Sequence, residues 1–296
     1  MRFLQVHLSM QRGGAHSAVT YLKNGLLSLG HHCDISSDRP DRITSLDYDL
    51  VVFHSFSPDN AKPYADFLDT CRINGLPRVI VMHDYWPMCH QTNMVMSGRG
   101  LMQCRDDRCD VTRCGWSGAR QPSILGIRDE RIVCFTDRSA DLFRRGGFQK
   151  ISVIPHGIDT ALFSPIGSDR NEVFDVFFTN AWGKKDIKGY RHWDWIRRNV
   201  PSGASCNEVV GGTRLEEMPM SYSSSDVTLF LSLWEETFGL TIVESLACGT
   251  PVISYPVGIA PDIIEDGVNG FLARDSNPRT VIDLISRMME MDDDEM

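Results

Sequence analysis

No stretch of this 296-residue sequence reaches the roughly eighteen uninterrupted apolar residues of a membrane-spanning helix. Neither half carries the dense basic stripe that gripping a phosphate backbone requires, so a dedicated nucleic-acid binder is disfavoured. Close Cys-x-x-Cys pairs are absent. The nine cysteines are odd in number, and Cys33, Cys71, Cys134, Cys206 and Cys248 sit singly in apolar or mixed surroundings, which fits reduced thiols better than a disulfide framework. The opening Met1-Arg-Phe-Leu-Gln-Val-His-Leu8 enters an apolar strand at once, with no charged leader or small-residue cleavage site. No signal peptide is therefore expected, and a soluble, cytoplasmic protein is the default reading. No internal repeat is present, and the acidic tail Asp292–Glu295 reads as a solvated, frayed end.

What is present is charge asymmetry and an alternating pattern. Residues 1–155 hold 19 Lys+Arg against 16 Asp+Glu, a balance of +3, whereas residues 156–296 hold 11 against 23, a balance of -12. With 42% hydrophobic residues the chain can fill two ordinary cores. Short runs rich in Val, Ile and Phe recur at Phe3–Leu8, Asp49–His54, Arg78–Met82, Arg131–Thr136, Ile151–Ile154, Val173–Thr179, Val227–Leu231 and Pro251–Tyr255. Helical stretches lie between them, the first being Ala15–Leu29, which stops at Gly30. This alternation predicts an α/β protein of two doubly wound, Rossmann-like domains with parallel strands and crossover helices. Turn formers cluster from Val153-Ile-Pro-His-Gly-Ile-Asp159 onward, and the boundary is placed near residue 165, giving domains 1–165 and 166–296.

Four constellations carry chemistry. Gln11-Arg-Gly13-Gly14-Ala-His16 sits between the first strand and the first helix, where glycines let a phosphate approach the helix N-terminus; a tight turn with no ligand explains the same pair. In Ile80-Val-Met-His83-Asp84-Tyr-Trp86-Pro an apolar strand runs into a His-Asp pair, at the sheet end where open parallel sheets bind ligands, with two aromatics as a sugar-stacking surface; a capped, buried histidine beside an Asp that stops the strand explains the same residues. Gly183-Lys184-Lys-Asp-Ile-Lys188-Gly189 is a lysine cluster able to neutralise a diphosphate leaving group, or a solvated loop. The fourth decides the reading: Ser232-Leu-Trp-Glu-Glu236-Thr-Phe238-Gly239-Leu240-Thr-Ile-Val-Glu244, followed by a Gly249-Thr-Pro251 turn and Gly258-Ile-Ala-Pro-Asp262. Its two carboxylates flank a helix start and suit the paired hydroxyls of a ribose or a hexose. None of the four contains an Asp-x-Asp pair to hold a divalent ion, and no catalytic metal is expected.

Residues Ser232–Leu272 resemble the donor-site region of the retaining GT-B glycosyltransferases of the group 1, family 4 type. Glu236 and Glu244 fall on that family's glutamate pair, Val153–Asp159 on its interdomain segment, Gly13-Gly14 on its glycine loop and His83 on its strand-ending histidine. The resemblance implies two domains facing across a cleft and a UDP- or GDP-sugar as donor. It implies that Glu244 holds the ribose, Glu236 contacts the transferred sugar, and the backbone at Phe238, Gly239 and Leu240 caps the phosphates. Lys188 would meet the diphosphate, with Lys184 or Lys185 substituting for an arginine the family usually carries nearby, His83 would meet the reacting centre, and Gly14 the phosphates from the other domain.

The sequence departs from the family in having Trp182 where an arginine is usual, Gly258-Ile-Ala-Pro-Asp262 for Gly-Gly-x-Pro-Glu, and a shortened C-terminus. Cys89, Cys104, Cys109 and Cys114 could close a tetrahedral zinc site, but without close pairs the preferred role for that segment is shaping the acceptor site. The expected reaction is hexosyl transfer to a glycan or glycolipid hydroxyl, as in polysaccharide biosynthesis, with peripheral contact between the mildly basic half and an anionic membrane. The alternatives are transfer to a modified DNA base and a catalytically weak nucleotide-sugar-binding protein. A sugar-nucleotide epimerase would need a Tyr-x-x-x-Lys pair that the sequence lacks.

Overall fold

A strand covered on both faces needs apolar side chains throughout rather than at alternate positions, and such runs form the centre of both sheets in this protein. The computed structural model describes residues 1–7, 13–36, 43, 46–54, 61–89, 95–96, 102–103, 127–167, 173–180, 186–211 and 214–291. It contains two compact units, Met1–Gly157 and Ile158–Met296, divided inside the turn-rich segment Val153–Asp159.

The first unit runs β1 (Arg2–Val6), α1 (Gly14–Ser28), β2 (His32–Ser36), β3 (Leu50–His54), α2 (Ala61–Ile73) and β4 (Arg78–Val81). The short strands β5 (Val95–Met96) and β6 (Met102–Gln103) follow, then β7 (Ile132–Cys134), α3 (Asp137–Arg145) and β8 (Ile151–Val153). Six strands form a parallel sheet in the order β2-β1-β3-β4-β7-β8, and β5 and β6 pair as an antiparallel ribbon. The end of α1 follows from Gly30, whose φ of 77° is cheap for a residue without Cβ. There His31 N–H donates to Leu26 O and Gly30 N–H to Leu27 O, so the last turn's carbonyls are satisfied. On α2 the buried Tyr64, Phe67, Leu68 and Cys71 recur at helical spacing. The Tyr64 and Phe67 rings lie 5.9 and 5.7 Å from Phe53 of β3, fixing helix to sheet.

The second unit runs β9 (Phe174–Asn180), α4 (Tyr190–Ile196), β10 (Ala204–Val210), α5 (Met218–Ser223), β11 (Val227–Phe230), α6 (Leu240–Ala247), β12 (Val252–Ser254), α7 (Ala260–Ile263), β13 (Gly270–Leu272) and α8 (Pro278–Met289). Its parallel sheet is ordered β10-β9-β11-β12-β13. Helix α8 starts where Asn277 accepts the Arg279 N–H and proline stands at the first helical position. It buries Val281, Ile285 and Met288 on one stripe, each worth about 1.5–3 kcal/mol of apolar burial.

Both sheets are doubly wound, so each has a point where successive strands depart in opposite directions. In the first unit that point lies between β1 and β3; in the second it lies between β9 and β11. Loops leaving the carboxyl ends on either side of such a point diverge and leave a crevice, where open α/β sheets bind ligands. The eight apolar runs expected from sequence all lie in strands, within a residue or two at their ends. Within the two parallel sheets the strands without an apolar signal, β2, β10 and β13, all stand at sheet edges. No helix among the described residues is long and apolar enough to cross a membrane.

Candidate functional site

In the second unit the loops leaving β9 and β11 are stitched together. Leu233 N–H donates to Ile187 O at 2.8 Å, and Gly189, at φ 79°, approaches so closely that a β-carbon there would lie 2.0 Å from Leu231 O. This contact holds the turn Asp186–Lys188 against Ser232–Glu236. Lys188 Nζ lies 2.6 Å from Glu236 Oε1, their side chains 20% and 8% exposed. The Ser232 hydroxyl donates to the same oxygen, and the Lys188 ammonium sits 4.7 Å from the centre of the Trp234 ring. A half-desolvated cation is thus held beside a buried carboxylate and an aromatic face at the switch point.

Gly239, at φ 113°, begins α6, and no side chain caps that helix. An uncapped first turn presents backbone N–H groups and the positive end of the helix dipole, a seat for phosphate oxygens. One turn further, Glu244 is buried and accepts a 3.1 Å hydrogen bond from the Tyr222 hydroxyl of α5. Burial, reinforced by the Glu244 charge, pushes the Tyr222 phenol well above its ordinary range, so it remains a donor.

The turn after β12 closes the other side. Ile259 N–H donates to Phe238 O at 2.7 Å, and Gly258 N–H donates to Glu235 Oε1 at 3.3 Å. At Gly258, φ is 59°, and a β-carbon would lie 2.0 Å from Phe238 O and 2.9 Å from Glu236 Cβ. Replacing Gly258 by alanine is therefore expected to cost about 2–4 kcal/mol, combining a left-handed backbone with overpacking. A urea titration reads this directly, and an unchanged midpoint would show that the turn yields.

In the first unit, four imidazoles and one phenyl ring line the carboxyl edge of the sheet. His7 follows β1, His54 ends β3, His83 follows β4, Phe135 follows β7 and His156 follows β8. The ring centres run His7–His54 6.1 Å, His54–His83 5.2 Å, His83–Phe135 5.2 Å and Phe135–His156 3.5 Å, with His16 of α1 6.1 Å from His7. His54 Nδ1 and His83 Nε2 share a hydrogen bond at 2.9 Å. Burial lowers His7 to about 4 and His54 and His156 to about 3, and takes His83 well below its usual range. Neighbouring imidazoles add to the effect at His7, His54 and His83. Burial pushes Asp84 up to about 7, opposed by the Trp86 N–H it accepts. The four strand-end imidazoles form a row, and no group of three or more His, Cys, Asp or Glu among the described residues is arranged to hold a metal ion.

The structure thus brings Lys188 and Glu236 into contact, puts Phe238, Gly239, Leu240 and Glu244 at the start and along the first turns of α6, and puts Gly13 and Gly14 at the start of α1. One sequence expectation is corrected. Tyr85 and Trp86 are 0% and 2% exposed, Tyr85 stacking on Phe143, so they build core and offer no face to a sugar. Lys184, Trp182, Cys104, Cys109 and Cys114 lie outside the described residues; Cys89 is buried. Sequence reasoning did not single out Tyr222, Ser232, His7 or His54 as partners in these sites.

Residues 207–296 match the family of glycosyl transferases group 1. Spore coat protein SA of Bacillus subtilis is 25% identical over 170 residues, covering 56% of this chain and 41% of the relative. D-inositol 3-phosphate glycosyltransferase of Thermobifida fusca is 35% identical over 113 residues, covering 36% of this chain and 25% of the relative. The chain therefore aligns with less than half of the length of either. The crystal structure of Anabaena HepE in complex with UDP-glucose superposes with a TM-score of 0.69 at 16% identity, covering 98% of this chain and 90% of that one. The fold is accordingly the pair of parallel-sheet, Rossmann-like domains of the GT-B class.

Proposed function

We propose that this protein is a retaining glycosyltransferase that moves a hexosyl unit from a nucleoside diphosphate sugar to a hydroxyl of a glycan or glycolipid. The observation that carries the reading is the Lys188–Glu236 pair at the switch point of the second sheet, beside the uncapped α6 that bears Glu244. In this reading Lys188 and the first turn of α6 at Gly239 and Leu240 neutralise the diphosphate. Glu244, steadied by Tyr222, takes the ribose hydroxyls, and Glu236 contacts the transferred sugar. Lys184 is assigned to the diphosphate, and Gly13, Gly14 and His83 to substrate contact at the carboxyl edge of the first sheet.

The acceptor oxygen forms its bond to the anomeric carbon as the bond to the leaving phosphate breaks, and the hydroxyl proton passes to that phosphate on the same face. No protein nucleophile takes part. A glycolipid acceptor would bring the protein to a membrane surface as a peripheral visitor. UDP-glucose is the first donor to test, because it is the ligand in the HepE crystal structure.

A panel of UDP- and GDP-sugars, read by thermal stabilisation and slow donor hydrolysis, tests the proposal. At least one donor is expected to stabilise the protein by more than about 1 kcal/mol, and Glu244→Ala to abolish that gain. If no nucleotide-sugar stabilises or is hydrolysed, the catalytic reading fails.

A further inference from the structure

His54 is the most enclosed ring in the histidine row, 1% exposed, and its main chain is pinned by the Tyr64 hydroxyl, which donates to His54 O at 2.7 Å. One ring nitrogen, Nδ1, is engaged with His83 Nε2 at 2.9 Å. The other, Nε2, is buried and has no hydrogen-bond partner among the described residues. A neutral imidazole carries one N–H, so the ring must choose which nitrogen holds it. With the proton on Nε2, a buried donor would be left unmade, and orphaned buried N–H groups are rarer than under-satisfied acceptors. With the proton on Nδ1, only a lone pair is left, and the bond to His83 is made.

We infer that His54 is a positioning residue that donates its Nδ1–H to His83 Nε2 and so fixes His83 as the tautomer protonated on Nδ1. The consequence follows from the count of protons. His83 Nε2 is occupied as an acceptor, so His83 acts as a hydrogen-bond donor through Nδ1–H and does not serve as a base through Nε2. For catalysis this rests on the reading above that His83 meets substrate; the tautomer itself does not depend on that reading. His7, whose ring stands edge-on to His54 at 84°, closes the far side of the row.

The tautomer is read by nitrogen-15 NMR of the full chain labelled at histidine, near neutral pH, with the His83 signals identified by their loss in His83→Gln. His83 is expected to show a protonated Nδ1 and an unprotonated Nε2. In His54→Leu, which fills the space without the donor, the His83 proton is expected to spread over both nitrogens. In the same variant kcat should fall about tenfold with the donor KM unchanged. His54→Asn, whose amide N–H stands near the place of Nδ1–H, should restore both. The inference is overturned if wild-type His83 is protonated on Nε2, or if His54→Leu alters neither tautomer nor kcat. If the wild type transfers no sugar, the functional proposal fails while the wild-type spectrum still decides the tautomer.

Discussion

Lys188→Ala is expected to lower kcat by about 100- to 1000-fold, the range seen when one pre-positioned group facing developing charge is removed. In the proposed reaction negative charge builds on the departing diphosphate, and Lys188 is the described cation placed at the switch point to meet it. The same substitution has a structural cost. Glu236 is buried, and without the ammonium its carboxylate keeps the Ser232 hydroxyl but loses the cation, which should destabilise the protein by about 1–3 kcal/mol. The two effects separate in the double variant Lys188→Ala/Glu236→Gln, which should recover most of the stability and none of the rate. Single-turnover kinetics with a saturating donor, beside urea titrations of the wild type and the two variants, provide the check. A drop in kcat of less than about threefold would remove Lys188 from the chemistry.

The second large effect is acid sensitivity of the first unit. His7, His54, His83 and His156 are neutral in the fold at pH values where an unfolded chain, with histidine near 6.5, already takes protons. A depressed histidine therefore contributes nothing above pH 6.5 and withdraws stability as pH falls below it, at up to about 1.4 kcal/mol per pH unit for each group. Asp84 acts in the opposite sense. Its folded pKa is raised to about 7 from 3.8, so its penalty grows as pH rises between those values. Between pH 6.5 and 4, four histidines against one aspartate leave three protons, an upper slope of about 4 kcal/mol per pH unit. Native domains are stable by about 5–15 kcal/mol, so for a stability in the lower half of that range unfolding is expected between about pH 5 and pH 4. Urea midpoints of the full chain from pH 8 to pH 5 measure the slope, and a flat profile would refute the neutral row. Asp84→Asn should raise stability most above pH 7, where the native carboxyl is forced to ionise, with a gain that shrinks as pH falls and vanishes near pH 4.

The central strands were legible in the sequence because a strand covered on both faces must be apolar along its length. The edge strands β2, β10 and β13 were not, since an edge carries residues such as His32, Asn207 and Glu208 as readily as valine. Lys188, Glu236 and Glu244 could each be named from local pattern. Their arrangement could not be, because the ion pair joins residues 48 positions apart through a crossover. Tyr222 carried no signal: on a short helix it reads as one more core aromatic until its hydroxyl is seen at Glu244. His7 and His54 could have been found. The argument that selected His83, an apolar strand running into a histidine at the ligand-binding end of the sheet, applies equally to Phe3–Leu8 and Leu50–His54.

The contact at Gly258 has a consequence for the proposed donor site. Because the loop bearing Glu236 and Phe238 rests against a backbone position that tolerates no side chain, and the Ile259 N–H holds the Phe238 carbonyl, neither segment can be recut alone. A transplanted 232–239 loop from another enzyme would land on a turn shaped for a different carbonyl. The turn around 255–259 has to travel with it, and in the proposed reaction the two stretches form a single module of donor specificity although fifteen residues, 240–254, separate them in the chain.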